Sequence, residues 1–291
     1  MLIANPIYDV VFKRLMEDPE IATFFIETLI QEPIHDVQMR PQEFTYYNKA
    51  EKLTFFRLDF VATIRSENGT YRKVLVEIQK AKNEMDVMRF RKYLGEHYKK
   101  EDEIDTPEGK QTFALPIITI YLLGFKLAEI PTAAAKIGRQ YVDLIENEVM
   151  PVKNEFVEQL THDSIVVQLP RIRGPIRSKL EELLSVFEQA NFVEEGKQTY
   201  KNYGEQIGDT RIKKIVDVLL HAAADPKERK ELEDEEESRR ILDAYFREKI
   251  YKIRNLEKTV TQQEQALSEK DQALSEKDRV IAELMAKLGQ K

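Results

Sequence analysis

Residues 71–98 read YRKVLVEIQKAKNEMDVMRFRKYLGEHY. The first nine, YRKVLVEIQ, are rich in β-branched and apolar types and predict a strand. Side chains alternate across a strand, so Val74, Val76 and Ile78 share one face while Leu75, Glu77 and Gln79 share the other. A carboxylate inside LVEIQ costs desolvation energy unless something positive meets it. Residues 84–99 then turn helical, with Asn83 as cap and Glu84 and Asp86 in the first turn, where negative charge suits the helix dipole. A strand ending in glutamate and glutamine is therefore followed at once by a helix carrying Arg89, Arg91, Tyr93 and His97.

The flanking segments supply a frame for this pair. Residues 53–64, LTFFRLDFVATI, have the same strand character, and Glu67-Asn68-Gly69 between the two runs is a turn signal, so the pair predicts a hairpin. Arg57 and Asp59 share a face of the first strand, opposite Leu58, Phe60 and Ala62. A weaker signal at 43–47, EFTYY, adds a third strand, and 115–125, LPIITIYLLGF, reads as a strand buried on both faces. Upstream, Asn5-Pro6 is a helix start continued by Ile7, Val11 and Leu15, and IATFFIETLI forms a second helix that stops before Pro33. The order helix, three strands, helix, strand predicts an α/β core of αβββαβ type over residues 1–130. Residues 131–230 read as a mostly helical extension, with helices over 133–150, 175–190 and 205–223 and a strand at 164–169.

Composition narrows the classes. The chain has 291 residues, 42% of them hydrophobic, enough for a real core, and a net charge of −7 argues against a surface built throughout for nucleic acid or anionic lipid. Cysteine is absent, which excludes disulfides and thiolate zinc sites and fits a reducing compartment. No apolar run is long enough to cross a membrane, and MLIANPIYDVVFKRL lacks the pattern of a signal peptide, so a cytoplasmic protein is expected.

Residues 231–291 are highly charged and contain QALSEKD twice in succession. Ile253, Val260, Leu267, Leu274, Ile281 and Leu288 recur every seven residues, the row of a coiled coil. The companion seam is charged on either choice, Glu257, Glu264, Asp271 and Asp278 on one side and Leu256, Gln263, Lys270, Lys277 and Leu284 on the other. Weak self-association into a homo-oligomer, or pairing with another helix, is expected rather than a tight zipper. The competing reading is a single solvated helix held by Glu–Lys pairs.

If the hairpin pairs across its Asn-Gly turn, Asp59 and Glu77 lie on neighbouring strands with converging carboxylates, which repel unless a cation sits between them. Magnesium prefers oxygen ligands and commonly takes one or two carboxylates, leaving positions for water and phosphate. Manganese is the expected substitute, and the backbone carbonyl of Ile78 is a further candidate ligand. Such an ion would activate water and polarise a phosphodiester, so hydrolysis of that bond is the expected chemistry.

The order of elements, with Asp59 and the Glu77-x-Gln79 pair, resembles the PD-(D/E)XK nuclease superfamily. More narrowly, NPIYDVVFKRLMEDPE, RLDFVATI, VLVEIQ and the helix containing RFRKY resemble the bacterial PD-(D/E)XK nuclease family transposases, the group that includes recombination-promoting Rpn nucleases. The resemblance covers roughly residues 5–125. It implies a restriction-endonuclease-like core and metal-dependent DNA endonuclease activity tied to recombination or mobile elements, with Asp59 and Glu77 as ligands.

The superfamily pattern ends in lysine, whereas this chain has Gln79, as in the variant common in the transposase group. Glutamine orients a water by hydrogen bonding but neutralises no charge. Lys13 is the favoured replacement cation, because it lies one helical turn from Asp9, which would assist metal binding or position it. Arg89 and Arg91 are candidates for phosphate contacts and Tyr93 for stacking or hydrogen bonding. His97 reads as a packing or surface residue. Against this stand the plainer readings that Asp9 and Lys13 form an exposed ion pair, that Asp59 pairs with Arg57 or Arg72, and that Glu77 pairs with Lys73. A nuclease-fold protein that binds DNA or regulates without cutting is the alternative.

Overall fold

In chain order the elements are β1 (Leu2–Ala4), α1 (Asp9–Met16), α2 (Pro19–Ile30), β2 (Ile34–Asn48), β3 (Leu53–Ser66), β4 (Tyr71–Gln79) and α3 (Glu84–Lys99). A small hairpin, β5 (Asp102–Thr106) and β6 (Gly109–Phe113), leads into β7 (Ile117–Leu123). There follow β8 (Ala134–Ile137), β9 (Tyr141–Val142), β10 (Val149–Met150), α4 (Glu155–Leu160), β11 (His162–Gln168), α5 (Lys179–Val186), β12 (Tyr200–Asn202), α6 (Thr210–Ala224) and α7 (Pro226–Leu288). This computed structural model describes the backbone of residues 1–48, 53–80, 84–106 and 109–288. Its side chains are described over the same range except 39–48, 53–59, 84–89, 105–106, 242, 243, 246, 250, 283 and 286–288.

The architecture is mixed α/β. Six strands form one sheet in the order β2-β3-β4-β7-β11-β8, antiparallel from β2 to β4, parallel across β4, β7 and β11, and antiparallel again to β8. The β3–β4 hairpin turns at Gly69, whose φ of 84° suits a residue without a Cβ. Asn68 supports the turn by accepting from the Thr70 backbone N–H at 3.0 Å. A parallel neighbour cannot be reached by a tight turn, and the connection from β4 to β7 contains α3.

Both faces of β4 are covered, which explains its apolar composition. Val74, Val76 and Ile78, with Phe60, Ala62, Ile64, Ile118, Ile120 and Leu122, join the main core with α1 and α2. Phe12 of α1 is the pivot of this face, its ring 4.9 Å from Phe60 and 5.5 Å from Phe25, both edge-on. Removing such a ring typically costs about 3–5 kcal/mol. On the other face Val61, Leu75 and Ile117 pack with Tyr93 and Leu94 of α3.

The structure corrects two expectations. Asn5 does not cap α1, which starts at Asp9 after Tyr8, a residue with no capping side-chain bond. Asn5 is fully buried instead. Its amide donates to Gln189 Oε1 at 2.9 Å and to the Gln198 carbonyl at 2.7 Å, while its oxygen accepts from Gln189 Nε2 at 3.0 Å and from the Ile7 N–H at 3.3 Å. A good capping residue has been used to tie the N-terminal segment to one almost two hundred positions away. Residues 133–150, expected as helix, are the three short strands β8, β9 and β10, and 131–230 are not mostly helical. They contribute β8 and β11 to the central sheet.

Two compact units emerge, Met1–Glu235 and Glu236–Lys291. Helix α7 starts within the first, where Asp225 accepts from the N–H groups of Lys227 and Glu228 at 2.9 Å ahead of Pro226. Residues 236–288 continue it as the second unit. Among the described residues no helix is long and apolar enough to cross a membrane.

Candidate functional site

Strand pairing sets the first relationship. Phe60 lies opposite Val76 and Val61 opposite Leu75. The described β3–β4 pairing ends there; continued by one residue on each strand it would set Asp59 opposite Glu77, and directly opposed residues of an antiparallel pair belong to the same face. The Asp59 side chain lies outside the described residues; its backbone is in β3, opposite Gln42 of β2. Glu77 is 4% exposed and Gln79 3% exposed, so the pair occupies the buried end of a central strand. Ile78 between them is buried in the main core face.

Two of the cations named as ordinary partners, Lys73 and Arg72, have described contacts with other residues. Lys73 is buried with its ammonium 2.6 Å from Asp102 Oδ1. Arg72 lies 2.7 Å from Glu32 Oε2 and donates to Ser66 Oγ at 2.9 Å. Arg57 has its side chain outside the described residues.

The parallel neighbour contributes a residue that sequence reasoning missed. Tyr121 of β7 stands beside Glu77 in the register. Burial raises the pKa of its phenol, a hydrogen bond with Thr119 opposes that, and the negative charge of Glu77 raises it further. The ring also meets Phe90 of α3 edge-on at 5.3 Å. A polar tip within IITIYLL was the available signal, but only the parallel register connects it to Glu77.

Helix α1 packs on the face of Val76 and Ile78, so Asp9 and Lys13 stand across the sheet from Glu77 and Gln79. Lys13, expected to supply the missing charge beside Gln79, belongs to that opposite side. The cation that does reach the end of β4 there is Lys80, whose ammonium pairs with Glu235 and lies 3.9 Å from the centroid of the Tyr8 ring. Glu235 also accepts from the backbone N–H groups of Asp9 and Val10, both at 3.1 Å, and so caps α1 from the start of α7.

The ends of β4 and β7 approach closely. Gly124 donates its N–H to the Gln79 carbonyl at 2.7 Å, and a Cβ built on Gly124 would lie 2.3 Å from the Lys80 carbonyl oxygen. Only glycine fits that contact.

Along α3 the expected contact residues separate. Arg91 is exposed, and the Arg89 side chain lies outside the described residues. Tyr93, expected to meet substrate, is 6% exposed and packs in the core beneath α3, its ring 4.5 Å from that of His97. His97 is buried too, and burial, with Lys73 and Lys100 adding to it, lowers its pKa to about 4. It is a neutral packing residue.

The donor set at the strand end is a carboxylate at Glu77, a second carboxylate position at Asp59 and backbone carbonyls, all oxygen, with no thiol in the chain. Such donors fit a hard divalent cation and not a structural zinc. Among the described side chains no group of three or more His, Cys, Asp or Glu gathers as a metal cage. The chain matches no family model, no curated protein and no solved structure.

Proposed function

We propose that this chain is a divalent-metal-dependent DNA endonuclease with a restriction-endonuclease-like core of the PD-(D/E)XK type, related to the transposase group that its motifs resemble. The observation that supports the reading is the β3–β4 register, which runs to Phe60 opposite Val76 and, continued by one residue, would bring Asp59 opposite Glu77, a residue buried near the end of the central strand. Two carboxylates at opposed positions would suit a shared cation, and magnesium, or manganese in its place, would supply Lewis acidity toward a phosphodiester. Asp59, Glu77 and the Ile78 carbonyl would hold it. Gln79 would orient water through its amide. Arg89 and Arg91 would hold DNA phosphates.

The test is cutting of supercoiled and linear DNA by the purified chain with magnesium, manganese or chelator. Metal-dependent nicking abolished in both Asp59→Ala and Glu77→Ala is expected. Nicking that survives either substitution contradicts the proposal.

A second reading keeps the fold and the DNA contact but not the cutting. It is favoured by Gln79, buried where the pattern has lysine, and by Lys80 being committed to Glu235 on the other side. DNA retention without any cutting under all metals separates it from the first.

A further inference from the structure

We propose that residues 250–288 pair in parallel and in register with the same segment of a second copy of this chain. Ile253, Val260, Leu267, Leu274 and Ile281 recur every seven residues, and each is at least 50% exposed. Leu256 and Leu284, at the two ends of the adjoining seam, are 65% and 54% exposed. Between these ends the seam holds Gln263, Lys270 and Lys277, flanked by Glu264, Asp271 and Asp278.

The charges identify the occupant. In a single helix, ion pairs form between residues three or four apart. At those distances Lys270 has only Ala266, Leu267, Ala273 and Leu274, and Lys277 has only Ala273, Leu274, Val280 and Ile281. Asp271 and Asp278 likewise find only leucine, isoleucine, alanine and serine there. Glu276 pairs with Arg279 at 3.7 Å within the helix, but these four charges have no opposite charge at such a spacing, so both signs are open to a second helix.

In a parallel pair each seam side chain packs into a hole of four residues on the facing helix, one of which is the residue next to its counterpart. Lys270 of one copy then faces Lys270 of the other with Asp271 of that copy beside it, and Lys277 faces Lys277 beside Asp278, so each like-charged layer is offset by two carboxylates. The lysine stems lie on the leucine row while their ammonium groups reach outward to the carboxylates. An antiparallel pair brings Glu257, Glu264, Asp271 and Asp278 against the same acidic set. Polar layers lower stability and fix register, so the pairing is specific rather than tight.

The chain has no cysteine, so a single introduced thiol reports its own neighbour. Leu267→Cys and Leu274→Cys, each in the full chain and mildly oxidised, are expected to give disulfide-linked dimers between identical positions. Sedimentation equilibrium should show a dimer that weakens at least tenfold in Lys270→Glu/Lys277→Glu and recovers when Asp271→Lys/Asp278→Lys is added. A monomeric mass, a dimer without identical-site disulfides, or charge reversal without effect would overturn the proposal.

Discussion

Lys80 closes β4 by pairing with Glu235, and the same carboxylate caps the first turn of α1 through the N–H groups of Asp9 and Val10 at 3.1 Å. Three segments far apart in sequence meet at this point, and the charged residue next to Gln79 is held on the side away from Glu77. Glu235→Ala leaves two helix N–H groups and a largely buried ammonium without this acceptor. A loss of about 1–3 kcal/mol is expected in urea unfolding. An unchanged midpoint would show that the contact carries no stability.

Gly124 is where the ends of β4 and β7 touch. A methyl group there would press on the Lys80 carbonyl at 2.3 Å, so one strand end must shift. Gly124→Ala should cost roughly 1–3 kcal/mol by thermal or urea unfolding, and cutting should fall more than stability explains because Glu77 and Gln79 ride on the displaced strand. Full activity with full stability would contradict this placement.

His97 gives the fold a pH dependence of known sign. Its pKa is lowered from 6.5 to about 4 by burial first and by Lys73 and Lys100 second. Between these values the unfolded chain binds a proton that the folded chain refuses, so stability rises with pH across the window and is lost as pH falls from 6.5 toward 4. The loss is of order 3 kcal/mol. His97→Phe, which keeps a ring against Tyr93, should flatten the melting-temperature profile over that window relative to the unaltered chain.

Arg91 is exposed on α3 and, in the proposed function, meets phosphate. Arg91→Ala should weaken DNA binding several-fold regardless of sequence and lower the slope of log K against log salt by about 1. Binding with an unchanged slope would remove it from the interface.

The hairpin, the helix after it and the buried strand at 117–123 were readable because period-2 alternation, an Asn-Gly turn and acidic first-turn residues act locally. Elements 133–150 were misread because their small apolar residues fit either period, and β8 is a strand only through its pairing with β11. Asn5 shows the same limit: its amide suits a helix cap, yet Gln189 and the Gln198 carbonyl take it. At the site, Glu77 and Gln79 stood out as polar residues in an apolar run. Tyr121 and Glu235 did not, since each acquires its role from a contact between distant segments.

The central claim is that the carboxylates of Asp59 and Glu77 share one divalent cation. Its most direct test is the rate of nicking of supercoiled DNA with magnesium by the unaltered chain, Asp59→Asn and Glu77→Gln, with folding of each checked by melting temperature. At least a hundredfold loss is expected in both folded variants, and no activity in chelator. Nicking at the unaltered rate by either folded variant would contradict it.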